Sequence, residues 1–251
     1  MKQIPNLFTL LNLVFGCLAI ICTLQNGITI SGDSQLLNIP EKIWMASFFI
    51  GLAAVVDFLD GFVARLFNAT SEMGKQLDSL ADVVSFGVAP GLIIYQFLRL
   101  SYAQEEGGLD ISVAFLLPAL LLPCAAAWRL ARFNIDNTPS DTFKGMPVPA
   151  AGIFIASLPL IYWNINEAWA IHLLINKWFL YGVVLLISWL MVSTLPLMSF
   201  KFKNFSMGDN LPRYILIAVA VAGFFLLKWL VIPIVIILYV ILSLAFKNKT
   251  T

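Results

Sequence analysis

Residues 57–82 read DFLDGFVARLFNATSEMGKQLDSLAD, a polar stretch inside an otherwise apolar chain. Asp57, Asp60, Asp78 and Asp82 stand in it, with Gly61, Ala64, Arg65 and Gly74 between them. The flanking text has the character of membrane helix, where a carboxylate at the bilayer centre costs roughly 2.5–3.5 kcal/mol on insertion scales. Four of them demand compensation. Residues three or four apart share a helix face, so Asp57 and Asp60 project together, Ala64 continues the stripe of Asp60, and Arg65 that of Gly61. Gly74, Asp78 and Asp82 form a second stripe at four-residue spacing. The polar loop Asn68 to Met73 is short, which predicts two adjacent antiparallel helices with their carboxylates facing across one cleft.

The whole chain has 251 residues, 60% of them hydrophobic and 12% charged, against about 25% charged in soluble domains. Mean hydropathy is +0.90. The expected class is all-α: a single polytopic membrane bundle over residues 1–251. A net charge of +1 provides no basic field for nucleic acid. Cys17, Cys22 and Cys124 match no metal-ligand or disulfide spacing and read as buried, inert thiols. His172, near a predicted segment end, reads as a loop residue.

A span needs about 20 mostly apolar residues. Eight candidates meet this, at about 5–24, 43–66, 77–99, 112–134, 148–164, 177–197, 213–227 and 229–246. The first reads as a spanning helix rather than a signal peptide, because its apolar run is long and no small-residue cleavage site follows. The last two read as a tight hairpin with Lys228 at the membrane surface. With both ends on one side, the opposite side keeps only Lys42, Arg99, Lys177 and Lys228 of the 15 Lys and Arg. By the positive-inside rule both termini and the aspartate stretch then face the cytoplasm, in the cytoplasmic membrane.

Four acids in one cleft repel unless cations neutralise them. Oxygen donors without His or Cys select Mg²⁺, Mn²⁺ or Ca²⁺ over Zn²⁺. Two divalent ions about 3.5–4 Å apart are a recurrent device of phosphoryl transfer. Gly61 and Gly74 remove side chains where a phosphorylated ligand approaches, and the donor fork of Arg65 suits a phosphate oxygen. Together these features specify a pyrophosphate at a membrane surface. Two other readings compete. A buried salt-bridge network with Arg65 and Lys75 fails on charge, since two cations do not neutralise four carboxylates. A cation-coupled carrier also places acids in the membrane, but carriers tend to spread them through the depth of the bundle, and here all four gather at one end.

The pattern Asp57-x2-Asp60-Gly61-x2-Ala64-Arg65-x8-Gly74-x3-Asp78-x3-Asp82 resembles the complete signature of the CDP-alcohol phosphotransferases. That resemblance implies two divalent cations, Mg²⁺ or Mn²⁺, held by the four aspartates, with Asp82 as general base on the acceptor alcohol. It implies CDP contacts from Gly61, Ala64, Arg65, Ser71 and Gly74, helped by the polar face of the first span, and a homodimeric assembly. The flanks IPNLFTLLNLVFG, SLADVVSFGVAP, WRLARFN and FKGMPVPAAG resemble the bacterial integral-membrane phosphatidylserine synthase branch. This second resemblance covers roughly residues 1–160, the expected catalytic part; helices at about 177–246 carry little signature. It implies CDP-diacylglycerol and L-serine as substrates, giving phosphatidylserine and CMP in phospholipid biosynthesis. Other acceptors within the family, glycerol 3-phosphate or an inositol phosphate, call for more basic residues near the cleft.

Two further groups fit that reading. Asn6, Thr9 and Asn12 recur every three residues in the first span, a polar stripe that suits either a nucleotide or hydrogen bonding between helices. Arg129, Arg132 and Asn134, with Lys144 beyond, form a basic group at the cytoplasmic end of the fourth span. An arginine there suits the carboxylate of serine, although the positive-inside rule alone also places arginines at that end.

Overall fold

The structure, a computed structural model, describes residues 4–25, 29–31, 36–38, 42–66, 71–136, 142–165, 167–198 and 207–246. Helix α1 (Ile4–Leu24) is followed by an antiparallel pair of three-residue strands, β1 (Thr29–Ser31) and β2 (Leu36–Asn38). Helix α2 spans Ile43–Leu66. Helix α3 (Glu72–Asp82) begins at Ser71, whose Oγ accepts from the Gly74 backbone N–H. It runs through a π-helical segment, Val83–Val88, into α4 (Ala89–Ala103). Then come α5 (Leu121–Ile135), β3 (Thr142–Lys144), α6 (Val148–Asn164), α7 (Ala168–Leu174), α8 (Lys177–Val192), β4 (Pro196–Met198), α9 (Met207–Leu227) and α10 (Val231–Ala245). β3 and β4 pair antiparallel, with Phe143 opposite Leu197.

The column α3–π–α4 is the axis of the bundle. Its residues Phe86, Ile93, Ile94, Phe97 and Leu98 are fully or almost fully buried. The π segment packs against α1, α5 and α6, and each approach is set by a glycine. A Cβ on Gly16 would lie 2.4 Å from Ser85 Oγ, and one on Gly152 would lie 2.9 Å from the Phe86 Cα. Such close backbone approach is how helices associate in lipid, where apolar burial gives little drive between them and van der Waals packing must supply it. The outer surface is the reverse. Phe225 and Leu226 are 79% and 81% exposed, and Phe58, Trp178 and Trp189 also face outward. An apolar belt of that kind is a liability in water and the expected surface in lipid. The chain is an integral membrane protein.

Among the described residues, four helical stretches are long and apolar enough to cross a bilayer: Pro5–Leu24, Ile43–Leu66, Glu72–Ala103 and Asn210–Ala245, the last taken through the turn at Lys228–Leu230. A fifth follows if α7 and α8, bent by 63° at their junction, form one span. The eight expected segments therefore differ in kind. The segment at 112–134 is not one helix: two 3₁₀ turns, Val113–Phe115 and Leu117–Leu120, precede α5, the second with Pro118 in its first turn. With 17 residues, α6 is about 25 Å long, less than the ~30 Å hydrocarbon core. The segment at 177–197 ends its helix at Val192, and Pro196 and Leu197 belong to β4. Between α9 and α10, Lys228 takes φ 50°, and a Cβ on Gly223 would lie 2.5 Å from Val231 Cγ2. A straight helix separates such residues by about 12 Å, so the chain folds back at Lys228, as the apolar run predicts.

Two smaller expectations are corrected. His172 lies in the last turn of α7, not in a loop. Cys17 and Cys124 are exposed and Cys22 is half-buried, because apolar residues of a membrane bundle face lipid as readily as they face its interior.

Candidate active site

The two aspartate stripes converge. One carboxylate oxygen from each of Asp57, Asp60 and Asp78 lies within 4.8 Å of the others. Asp82 is buried one turn further along α3. Helical spacing accounts for the grouping within α2 and within α3. The relation between those helices differs from expectation: they are not packed side by side. α1 packs against α2 and also against α3, while α2 and α3 make almost no backbone contact with each other. The carboxylates reach across the gap that this leaves.

α1 holds the aspartates in place. Thr9 Oγ1 donates to Asp60 Oδ2 at 2.9 Å, and Asn12 Nδ2 donates to Asp82 Oδ1 at 3.2 Å. Ser85, in the π segment, donates to the Asn12 carbonyl at 3.0 Å and so fixes the turn that carries Asn12. The polar stripe of the first span thus makes bonds between helices, and they end on the acidic residues themselves. Asn6 lies beside Gly74: a Cβ there would be 3.1 Å from both Asn6 Oδ1 and Ser71 Oγ. Gly74 thus leaves room for the side-chain tips of Asn6 and Ser71 where α1 meets α3. Gly61 has nothing within 4 Å of where a Cβ would be, so its missing side chain leaves open space. Ala64 is half-buried and Arg65 exposed at the end of α2.

The expected basic group separates on inspection. Arg132 donates to the carbonyls of Val192 at 2.7 Å and Ser193 at 2.9 Å, closing the C-terminal end of α8. Gly145 and Met146 join the same cap through Leu195 O and Leu190 O, each at 2.9 Å. Gly145 has φ 76°, and a Cβ there would fall 2.6 Å from Ser193 O; only glycine fits. Lys144 pairs with Asp136. Asn134 donates to Ser79 at 2.8 Å and accepts at its carbonyl from Lys75 at 3.0 Å. Arg129 differs from these. It is 7% exposed, its Nε has no hydrogen-bond partner, and no described residue forms a salt bridge with it. Tyr239 of α10, a residue that the sequence did not bring to notice, is buried and donates to the Met198 carbonyl at 2.9 Å.

The donor set fits divalent cations. Asp78 Oδ1 is buried with no partner, an arrangement that is costly unless a cation or a hydrogen bond satisfies it. Neither described salt bridge, Lys144–Asp136 or Lys177–Glu105, involves the four aspartates. Lys75 turns instead to Asn134 and the face of Phe133. Among the described residues no salt bridge neutralises the acidic cluster, a set of hard oxygen donors of the kind a divalent metal centre uses.

Residues 2–194 match the CDP-alcohol phosphatidyltransferase family. The chain belongs to that family. Among its relatives, the CDP-diacylglycerol–serine O-phosphatidyltransferase of Helicobacter pylori is 34% identical over 217 residues, 86% of this chain and 78% of that one. The enzyme of the same name from Bacillus subtilis is 35% identical over 169 residues, 64% of this chain and 78% of its own. That of Mycobacterium tuberculosis is 31% identical over 248 residues, 95% of this chain and 76% of its own. The aspartate-bearing helices of this CDP-alcohol phosphatidyltransferase family member, and α1 that braces them, all lie within the matched region.

Proposed function

We propose that the chain transfers the phosphatidyl group of CDP-diacylglycerol to the hydroxyl of L-serine, forming phosphatidylserine and releasing CMP. The observation that carries this reading is the convergence of Asp57, Asp60 and Asp78 beside a braced Asp82, in a chain whose relatives bear that activity in their names. Asp57, Asp60, Asp78 and Asp82 would hold two divalent cations, Mg²⁺ or Mn²⁺. When bound, these supply the positive charge that neutralises the carboxylates and stabilises the transferring phosphoryl group.

The protein's own groups do the rest. Thr9 fixes the orientation of Asp60, and Asn12 that of Asp82. Asn6, Thr9, Asn12, Gly61, Ala64, Arg65, Ser71 and Gly74 line the CDP site, with open space at Gly61 for the pyrophosphate and the guanidinium of Arg65 for its oxygens. Asp82 accepts the proton of the serine hydroxyl. The serine oxygen bonds to the phosphorus that bears diacylglycerol, and the bond from that phosphorus to the bridging oxygen breaks, so CMP departs. Of the four basic-group residues, Arg129 is the one whose donors are not committed elsewhere, and it receives the serine carboxylate.

The remaining features follow the same reading. Eight spans with both termini in the cytoplasm put the cleft at the inner face of the cytoplasmic membrane, where serine and CMP are soluble. The catalytic part lies in residues 1–160, and the protein works as a homodimer. One assay tests the assignment. Radiolabelled serine enters chloroform-soluble lipid only when CDP-diacylglycerol and Mg²⁺ or Mn²⁺ are present, and a chelator stops it reversibly. Label entering from glycerol 3-phosphate but not serine overturns the acceptor; no incorporation from either overturns the transferase reading.

A further inference from the structure

The polar stripe of α1 ends at Asn12, which is 0% exposed. Its Nδ2 donates to Asp82 Oδ1 at 3.2 Å, and its backbone carbonyl accepts from Ser85 Oγ at 3.0 Å. Its side-chain oxygen is spent on nothing: Oδ1 is buried without a hydrogen-bond partner among the described residues. The orientation of the amide follows from its neighbour. Asp82, as the proposed base, is ionised, and an ionised carboxylate only accepts hydrogen bonds. The NH2 side of Asn12 therefore faces Asp82, and its oxygen faces away. Flipping the amide would set oxygen against oxygen. A buried acceptor left unmade is costly, and in a native protein it calls for an explanation such as a ligand's donor.

The donor is identified by what must stand at Asp82. There the proposed reaction takes the proton of the acceptor hydroxyl, so the group that meets Asn12 Oδ1 is one close to that hydroxyl. The oxygen and nitrogen of an amide are about 2.3 Å apart. In serine the hydroxyl oxygen and the ammonium nitrogen sit on adjacent carbons, about 2.9 Å apart when gauche. With the hydroxyl on the Asp82 carboxylate, the ammonium reaches Oδ1 and a ring of contacts closes: amide to Asp82, hydroxyl to Asp82, ammonium to amide. An ammonium has donors only, so it suits that place. A phosphate there would meet a carbonyl oxygen and a carboxylate, both negative.

We propose that Asn12 is a specificity-determining residue of the acceptor site, orienting Asp82 through Nδ2 and accepting a hydrogen bond from the serine ammonium at Oδ1. The stripe of α1 lines the CDP site as far as Asn12, where the acceptor space begins. The inference rests on the serine reading above, and it is independent of what holds the serine carboxylate.

The test compares L-serine with 3-hydroxypropionate, which keeps the hydroxyl and the carboxylate and lacks the ammonium. The kcat/KM for each is measured with the full-length enzyme in lipid–detergent micelles, in wild type, Asn12→Leu and Asn12→Ala. Wild type prefers serine. Both variants lose activity toward both acceptors, because Asp82 loses its donor. They lose roughly ten-fold more toward serine, as the removal of a charged hydrogen bond does, so the preference shrinks by that factor. A residue that only orients Asp82 would lower both acceptors equally. An unchanged preference in the variants therefore overturns the proposal, and so does a wild-type enzyme with no preference. An unchanged preference together with a raised Mn²⁺ requirement overturns it in favour of Oδ1 as a metal ligand. Where 3-hydroxypropionate turns over too slowly to follow, its inhibition constant against serine, relative to the serine KM, is read in the same way. Asn12→Leu keeps the buried volume and serves if Asn12→Ala does not fold. Failure of the serine reading itself shows differently, as no label passing from serine into lipid in the wild type, and takes the proposal with it.

Discussion

Asp82 has the fewest alternatives open to it. It is buried, its Oδ1 accepts from Asn12, and its neighbour is another carboxylate. In its proposed role as general base it is indispensable to proton removal but not to the apolar contacts of the lipid tails. Asp82→Asn therefore lowers turnover by roughly 10²–10⁴-fold, while CDP-diacylglycerol still protects the variant against thermal unfolding. Thr9 gives a subtler test. Its hydroxyl orients Asp60, and loss of such an outer partner typically weakens metal affinity 10–100-fold. Thr9→Val raises the Mn²⁺ concentration for half-maximal activity by about ten-fold, with the same activity at saturating metal. At this scale the sequence was legible wherever periodicity applies: the spacing of the four aspartates and of Asn6, Thr9 and Asn12 put them on common faces. It did not show which atom each polar residue would meet. Nothing local distinguishes Arg129 from Arg132, because the carbonyls that occupy Arg132 lie 60 residues away in α8.

At the level of elements, the π segment Val83–Val88 shifts the register between Asp82 and α4, and it brings Ser85, Phe86 and Gly87 against three other helices. Single π turns inside α-helices recur at functional sites. Gly152→Val forces a side chain into the backbone of Phe86 and destabilises the folded protein by about 1–3 kcal/mol, read as a lower melting temperature in detergent. Arg132→Ala strips the cap from α8, each charged hydrogen bond contributing about 1.5–3 kcal/mol; stability falls while KM for serine in the surviving enzyme stays near wild type. That outcome separates Arg132 from Arg129. The helix limits of α2 and α6 follow from the hydrophobic runs, which coincide with 43–66 and 148–164. The π turn was hidden because an extra residue in the hydrogen-bond ladder leaves the apolar pattern almost unchanged. The separation of α2 from α3 was hidden too. A short loop constrains the ends of two helices, not the element that comes between them, and here that element is α1.

For the molecule as a whole, charge asymmetry is the feature that reaches beyond any one helix. Reporter fusions at either terminus should both report the cytoplasm, and a cysteine placed at Lys42 or Lys177 should react with a membrane-impermeant thiol reagent from outside. Termini found on opposite sides would require an odd number of crossings. The number of spans was the least legible property, since α5 opens on 3₁₀ turns and α6 is short, and a window of hydropathy weighs neither. The outward belt that includes Phe225 and Leu226 has a kinetic consequence. A protein solvated by lipid meets a two-tailed substrate by lateral diffusion in a plane, so its rate follows the mole fraction of that substrate in the surface rather than its concentration in the tube. Adding inert phospholipid at constant total CDP-diacylglycerol should slow the enzyme, while diluting the whole suspension with buffer at fixed serine and metal should leave turnover per enzyme unchanged.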